Sequence, residues 1–70
     1  MFIIGIEAMR RSEKQVLELI RKEKSIMLSD LAQKADFSER NTLRILARLR
    51  ALNHVRVYKQ GLHSVYEPIP

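Results

Sequence analysis

Leu28-Ser29-Asp30-Leu31-Ala32-Gln33-Lys34-Ala35-Asp36-Phe37-Ser38 is the stretch on which the fold turns. Leu31, Ala32 and Ala35 stand at i, i+1 and i+4, one apolar face of a short helix, with Ser29 in the position of a capping residue. Only Asp36-Phe37-Ser38 separates that helix from the next periodic segment, and Ser38 carries the hydroxyl that caps a new helix. A connection this short brings the two helices together at a steep angle, with Phe37 as the apolar plug of the turn.

The helix that follows is predicted from about Ser38 to Asn53. At close to 100° per residue, Thr42, Ile45, Leu46, Leu49 and Leu52 gather within about 120° of arc and form its core face. The opposite side holds Arg40, Arg44 and Arg48 at i, i+4 and i+8, with Ala47 and Ala51 between them. Like charges at this spacing repel by a few tenths of a kcal/mol per pair in an isolated helix. A negatively charged partner explains the stack, and the alanines let that partner approach the backbone.

Upstream, Ser12-Glu13-Lys14-Gln15 has the form of a capping box and opens a first helix that fades near Lys24, with Val16, Leu17 and Ile20 inward. Ile26-Met27-Leu28 is too brief for a helix and reads as a short strand or extended connector. Downstream the period changes to two. His54-Val55-Arg56-Val57-Tyr58 and His63-Ser64-Val65-Tyr66 alternate around a Lys59-Gln60-Gly61-Leu62 turn, which is a β-hairpin with Gly61 free to take positive φ. Val55, Val57 and Val65 are the candidates for the face packed on the helices, and Pro68 and Pro70 end the last strand.

Charge is unevenly placed. Residues 40–66 hold six basic residues and no acid, whereas the remainder carries seven basic against eight acidic, so the whole excess behind the net +5 lies in the C-terminal half. Such asymmetry suits a polyanion, because each neutralised phosphate releases condensed counterions. Seventy residues with 46% hydrophobic and 30% charged content describe one small α+β, mostly α, domain, with 1–11 as an apolar extension and 12–70 as the packed unit. A chain this short buries only about 60% of its unfolded surface. It has no cysteine to reinforce it, so a homodimer is the remaining support. Met1 to Ile6 is an extra packed element, a dimer contact or a tail, and is too short to span a bilayer.

No Ser/His/Asp set, phosphate-cradling glycine loop or paired catalytic carboxylates are present, which argues against an enzyme. His54 and His63 have no carboxylate or thiol at a completing spacing, so no metal and no cofactor are expected. With aromatics at 6%, a single-strand binder that stacks bases is disfavoured.

Helix, short strand, short helix, tight turn, long helix and hairpin is the order of a winged helix-turn-helix, and residues 28–38 resemble that motif over a likeness that runs from about 12 to 66. The step that opens the wing reads Asn53-His54-Val55, with Asn where such domains often carry Gly; both residues tolerate the left-handed conformation. The chain is similar to small prokaryotic regulators of the arsenic-resistance and multiple-antibiotic-resistance types. It departs from the first in lacking metal-sensing ligands, and from the second in lacking long flanking helices. The resemblance implies binding to double-stranded DNA; no small-molecule effector is inferred from these residues, and without an export signal or a transmembrane segment the expected location is the cytoplasm. The resemblance also implies that helix three enters the major groove. Arg40 and Arg44 would then reach guanine or phosphate, Asn41 an adenine edge, and Arg48 the backbone. Ser29 and Ser38 would meet phosphates at helix N-termini, and Arg56, Lys59, Gln60 and His63 would follow the backbone or minor groove from the wing. The alternative implied by the same fold is a protein-interaction module within a larger assembly.

Overall fold

A computed structural model describes residues 9–70; the apolar run at Met1 to Ile6, and any dimer contact it makes, lie outside the described residues. The elements are α1 (Arg11–Glu23), β1 (Ile26–Met27), α2 (Leu28–Ala35), α3 (Glu39–Ala51), β2 (Val55–Gln60) and β3 (His63–Pro68). The strands form one antiparallel sheet in the order β1-β3-β2, so the last strand of the chain is the central one.

Three inward faces meet in one core. Val16, Leu17 and Ile20 of α1, Leu31 and Ala35 of α2, and Ile45, Leu46 and Leu49 of α3 are buried together with Ile26, Val55, Tyr66 and Met9. Full burial of a side chain of this size stabilises by about 1.5–3 kcal/mol, so this cluster is where the fold draws its stability. Thr42 is fully buried among them, and its Oγ1 donates to the Ser38 carbonyl at 2.8 Å, which satisfies the hydroxyl.

All three helices stop on a non-glycine residue in the left-handed region: Lys24 (φ 68), Asp36 (φ 62) and Asn53 (φ 62). At the end of α2, the Phe37 N–H donates to Ala32 O at 3.0 Å and the Asp36 N–H to Gln33 O at 3.2 Å. At the end of α3, the His54 N–H donates to Leu49 O at 2.9 Å and the Asn53 N–H to Arg50 O at 3.0 Å. Both are the paired bonds of a Schellman stop, which reverses the chain without leaving carbonyls unpaired. Asn53 thus takes the conformation expected of it at the wing's entrance.

Four sequence expectations are corrected. The first helix opens at Arg11, not after a Ser12 cap, because Glu13 reaches back to accept the Arg10 N–H at 3.1 Å. Gln15 instead donates to the Ala35 carbonyl of α2 at 3.3 Å. Ser29 does not cap α2: β1 runs straight into the helix, Met27 occupies the cap position, and Ser29 is the second helical residue. The hairpin loop is two residues, Gly61 and Leu62, since Gln60 still pairs with His63. Finally, Val65 is buried but lies opposite Tyr58, on the other sheet face from the Val57–Tyr66 pair, so it is Tyr66 and not Val65 that enters the core with Val55.

Candidate nucleic-acid interface

Helix α3 is held by its ends and one face. Ser38 Oγ accepts the Asn41 N–H at 3.1 Å, as a capping residue should, and its own proton remains available to an outside acceptor. The core face buries Thr42, Ile45, Leu46 and Leu49, which leaves Arg40, Leu43, Arg44, Ala47, Arg48, Arg50 and Ala51 exposed along the other side.

The arginine row is not uniform. Arg48 turns toward α1, where its Nε stands 3.2 Å from Oε2 of Glu13. Glu13 is buried, so one carboxylate both caps the start of α1 and neutralises the third arginine of the row. Arg10, Glu13, Asn41, Arg44 and Arg48 line a groove between the start of α1 and α3. Ser38, Arg40, Asn41 and Arg44 line a second, shallow depression over the first turn of α3. Ser38, Arg40, Asn41 and Arg44 thus border one depression, and Arg48 shares the neighbouring groove with Asn41 and Arg44 while its charge is met by Glu13.

A similar division holds in the wing. Arg56 is paired across the hairpin with Glu67, Nε to Oε1 at 3.0 Å, although Glu67 lies one residue beyond the acid-free window. Lys59, Gln60 and His63 are exposed near the tip. Strand alternation sets Arg56, Gln60 and His63 on the sheet face away from the core, with Lys59 on the other. Ser29 shares a groove with Glu39, Leu62 and His63, so the start of α2, the start of α3 and the wing tip border one concavity. Of the six basic residues in 40–66, Arg40, Arg44, Arg50 and Lys59 have no acidic partner within salt-bridge distance among the described residues.

Three participants escaped the sequence reading. Glu13 is legible only as the third residue after Arg10, and its burial depends on α3 passing overhead. Leu43 is apolar, so the periodic count passed it over, yet it is 46% exposed on the outer side of α3. Arg50 adds to the basic window in sequence, but its surroundings depend on the fold: it lies beside Tyr66, whose phenol is pushed above its ordinary value by burial, with the nearby guanidinium opposing that shift.

No protein-family model matches the chain, and no curated protein matches it. Solved structures do. The chain is similar to the transcriptional regulator PA4135, with a TM-score of 0.84 and 18% identity over 90% of this chain and 48% of that one. It is similar to the adhesin competence repressor AdcR of Streptococcus pyogenes, with a TM-score of 0.79 and 13% identity over 91% and 49%. It is also similar to the DNA binding domain of the repressor BlaI, with a TM-score of 0.76 and 22% identity over 97% and 88%. The chain spans about half the length of the first two. These likenesses, joined to the helix, turn, helix and hairpin described above, give the chain the winged helix-turn-helix fold.

Proposed function

We propose that this chain binds double-stranded DNA as the reading domain of a transcriptional regulator, with α3 in the major groove and the β2–β3 wing on the backbone or minor groove. The observation that carries this is the set of cations Arg40, Arg44 and Arg50 on the exposed side of α3, which no acid among the described residues pairs, next to Ala47 and Ala51. A charged ridge between small residues is what a helix needs to lie deep between two phosphate rows. The likeness in fold to a repressor's DNA binding domain supports the same reading. Ser38, and Ser29 from within the first turn of α2, are suited to phosphates at helix N-termini. Arg40 and Arg44 supply direct base or phosphate contacts, with Asn41 beside them.

Homodimerisation belongs to the proposal. Two copies on half-sites about 10 base pairs apart would double the contacts of a domain that offers few on its own. Fluorescence anisotropy against duplexes selected from a random pool tests the reading. With about four phosphates neutralised per chain, log K is expected to fall against log salt with a slope of about −3 to −4 per chain, and selection is expected to enrich an inverted repeat. Absence of binding to any duplex at low salt overturns it.

A further inference from the structure

Leu43 is the one large apolar side chain on the exposed side of α3, and 46% of its surface is open to solvent. Its surroundings on the helix are specific. Glu39 and Arg40 lie one turn before it, Ala47 one turn after and Arg50 two turns after, all exposed, so Leu43 borders the cationic ridge on its side toward the core face. Arg40 and Arg50 carry charge that no acid among the described residues takes up, and Ala47 is too small to shield it.

An apolar group beside cations does not serve phosphate binding; a lysine or a serine there would serve it better. In the major groove the one prominent apolar feature is the C5 methyl of thymine, which a methyl-bearing side chain recognises by removing both surfaces from water. Arg40 and Arg50 would hold the helix by phosphates or guanines while Ala47 allows the close approach such a contact needs. Leucine cannot accept or donate a hydrogen bond, so it discriminates by the methyl group alone.

Resting on the reading of α3 as a major-groove helix, we infer that Leu43 is a specificity-determining contact for a 5-methylpyrimidine, and that the preferred site carries a thymine at the position facing it. The probe is the best duplex enriched from a random pool, with each thymine replaced singly by 2′-deoxyuridine, which deletes the methyl and preserves pairing. Wild-type protein is expected to lose about fourfold in affinity at one or two adjacent positions, the equivalent of one buried methyl group. Leu43→Ala, at an exposed position where alanine is the better helix former, keeps the fold and is expected to bind thymine and deoxyuridine duplexes equally. Indifference of the wild type to every replacement, or equal sensitivity in the Leu43→Ala variant, overturns the inference while leaving duplex binding intact. Failure to enrich any duplex overturns the major-groove reading and this contact with it.

Discussion

Arg48 reaches from the third turn of α3 to the first turn of α1, where its Nε stands 3.2 Å from Oε2 of the buried Glu13. The pair is asymmetric, with 58% of the arginine side chain exposed and 6% of the glutamate. Removing one partner is therefore unlike removing the other, because the carboxylate is the group that has given up its water.

Arg48→Ala leaves Glu13 buried with the Arg10 N–H as its remaining partner, and is expected to cost about 1–2 kcal/mol, discounted for the exposure of the arginine. Glu13→Gln keeps an oxygen for that N–H and leaves Arg48 free to meet solvent, so it is expected to cost less. Urea midpoints of the two variants give the order. In DNA titrations Glu13→Gln is expected to steepen the salt slope toward one further phosphate, since it releases a cation into the ridge.

The same logic separates the other arginines. Arg44→Ala is expected to lower affinity by about 1–3 kcal/mol and to relax preference at one base position, because this side chain has no acidic partner among the described residues. Arg56→Ala, whose charge Glu67 already balances at 3.0 Å, is expected to change affinity far less. Anisotropy at two salt concentrations distinguishes them, and equal losses would show that the cross-strand pair opens on binding.

Backbone strain offers a test independent of DNA. Lys24 holds φ 68 with a Cβ that this region disfavours, and Lys24→Gly is expected to raise stability by about 0.5–1 kcal/mol. Asn53→Gly is expected to gain less, since asparagine tolerates the conformation. Gly61→Ala is expected to lose about 1 kcal/mol from φ 63 alone, because nothing lies within 4 Å of the added carbon. Chemical denaturation of the three variants checks the series.

Alkaline pH provides a further prediction through Tyr66, whose phenol is raised by burial and partly restrained by Arg50. Below about pH 10 the hydroxyl is protonated in folded and unfolded chains alike, and its packing contributes in full. As pH climbs from the unfolded value through the higher folded one, the unfolded chain loses its proton first, so stability falls across that window. Urea midpoints between pH 9 and 12 are expected to decline, and Tyr66→Phe is expected to flatten the decline.

The helices were readable because their apolar faces repeat locally: Val16, Leu17 and Ile20, then Leu31 and Ala35, then Ile45, Leu46 and Leu49, all buried as their spacing requires. The three-residue turn and its Ser38 cap were readable for the same reason, since their bonds join near neighbours. What escaped the sequence depends on partners distant along the chain. Glu13 is defined by Arg48, and the entry of Tyr66, not the equally buried Val65, into the helix-packed core is fixed by the register of the sheet. Ser29 missed its cap position by two residues because β1 enters α2 without a loop. In the candidate site, the exposure of Arg40, Arg44 and Arg48 was readable from helical phase, but that Glu13 already neutralises Arg48 was visible only in three dimensions.

The central place of β3 bears on the mechanical behaviour of the hairpin. Its Tyr66 is locked in the hydrophobic interior while His63, three residues away, stands at the exposed tip. A tip anchored this way is expected to move with the core and not as a tethered arm. Its conformational freedom is surrendered when the chain folds, so ordering the wing adds little entropic penalty when it touches a ligand. Amide exchange along β3 is accordingly expected to follow the global unfolding of the domain.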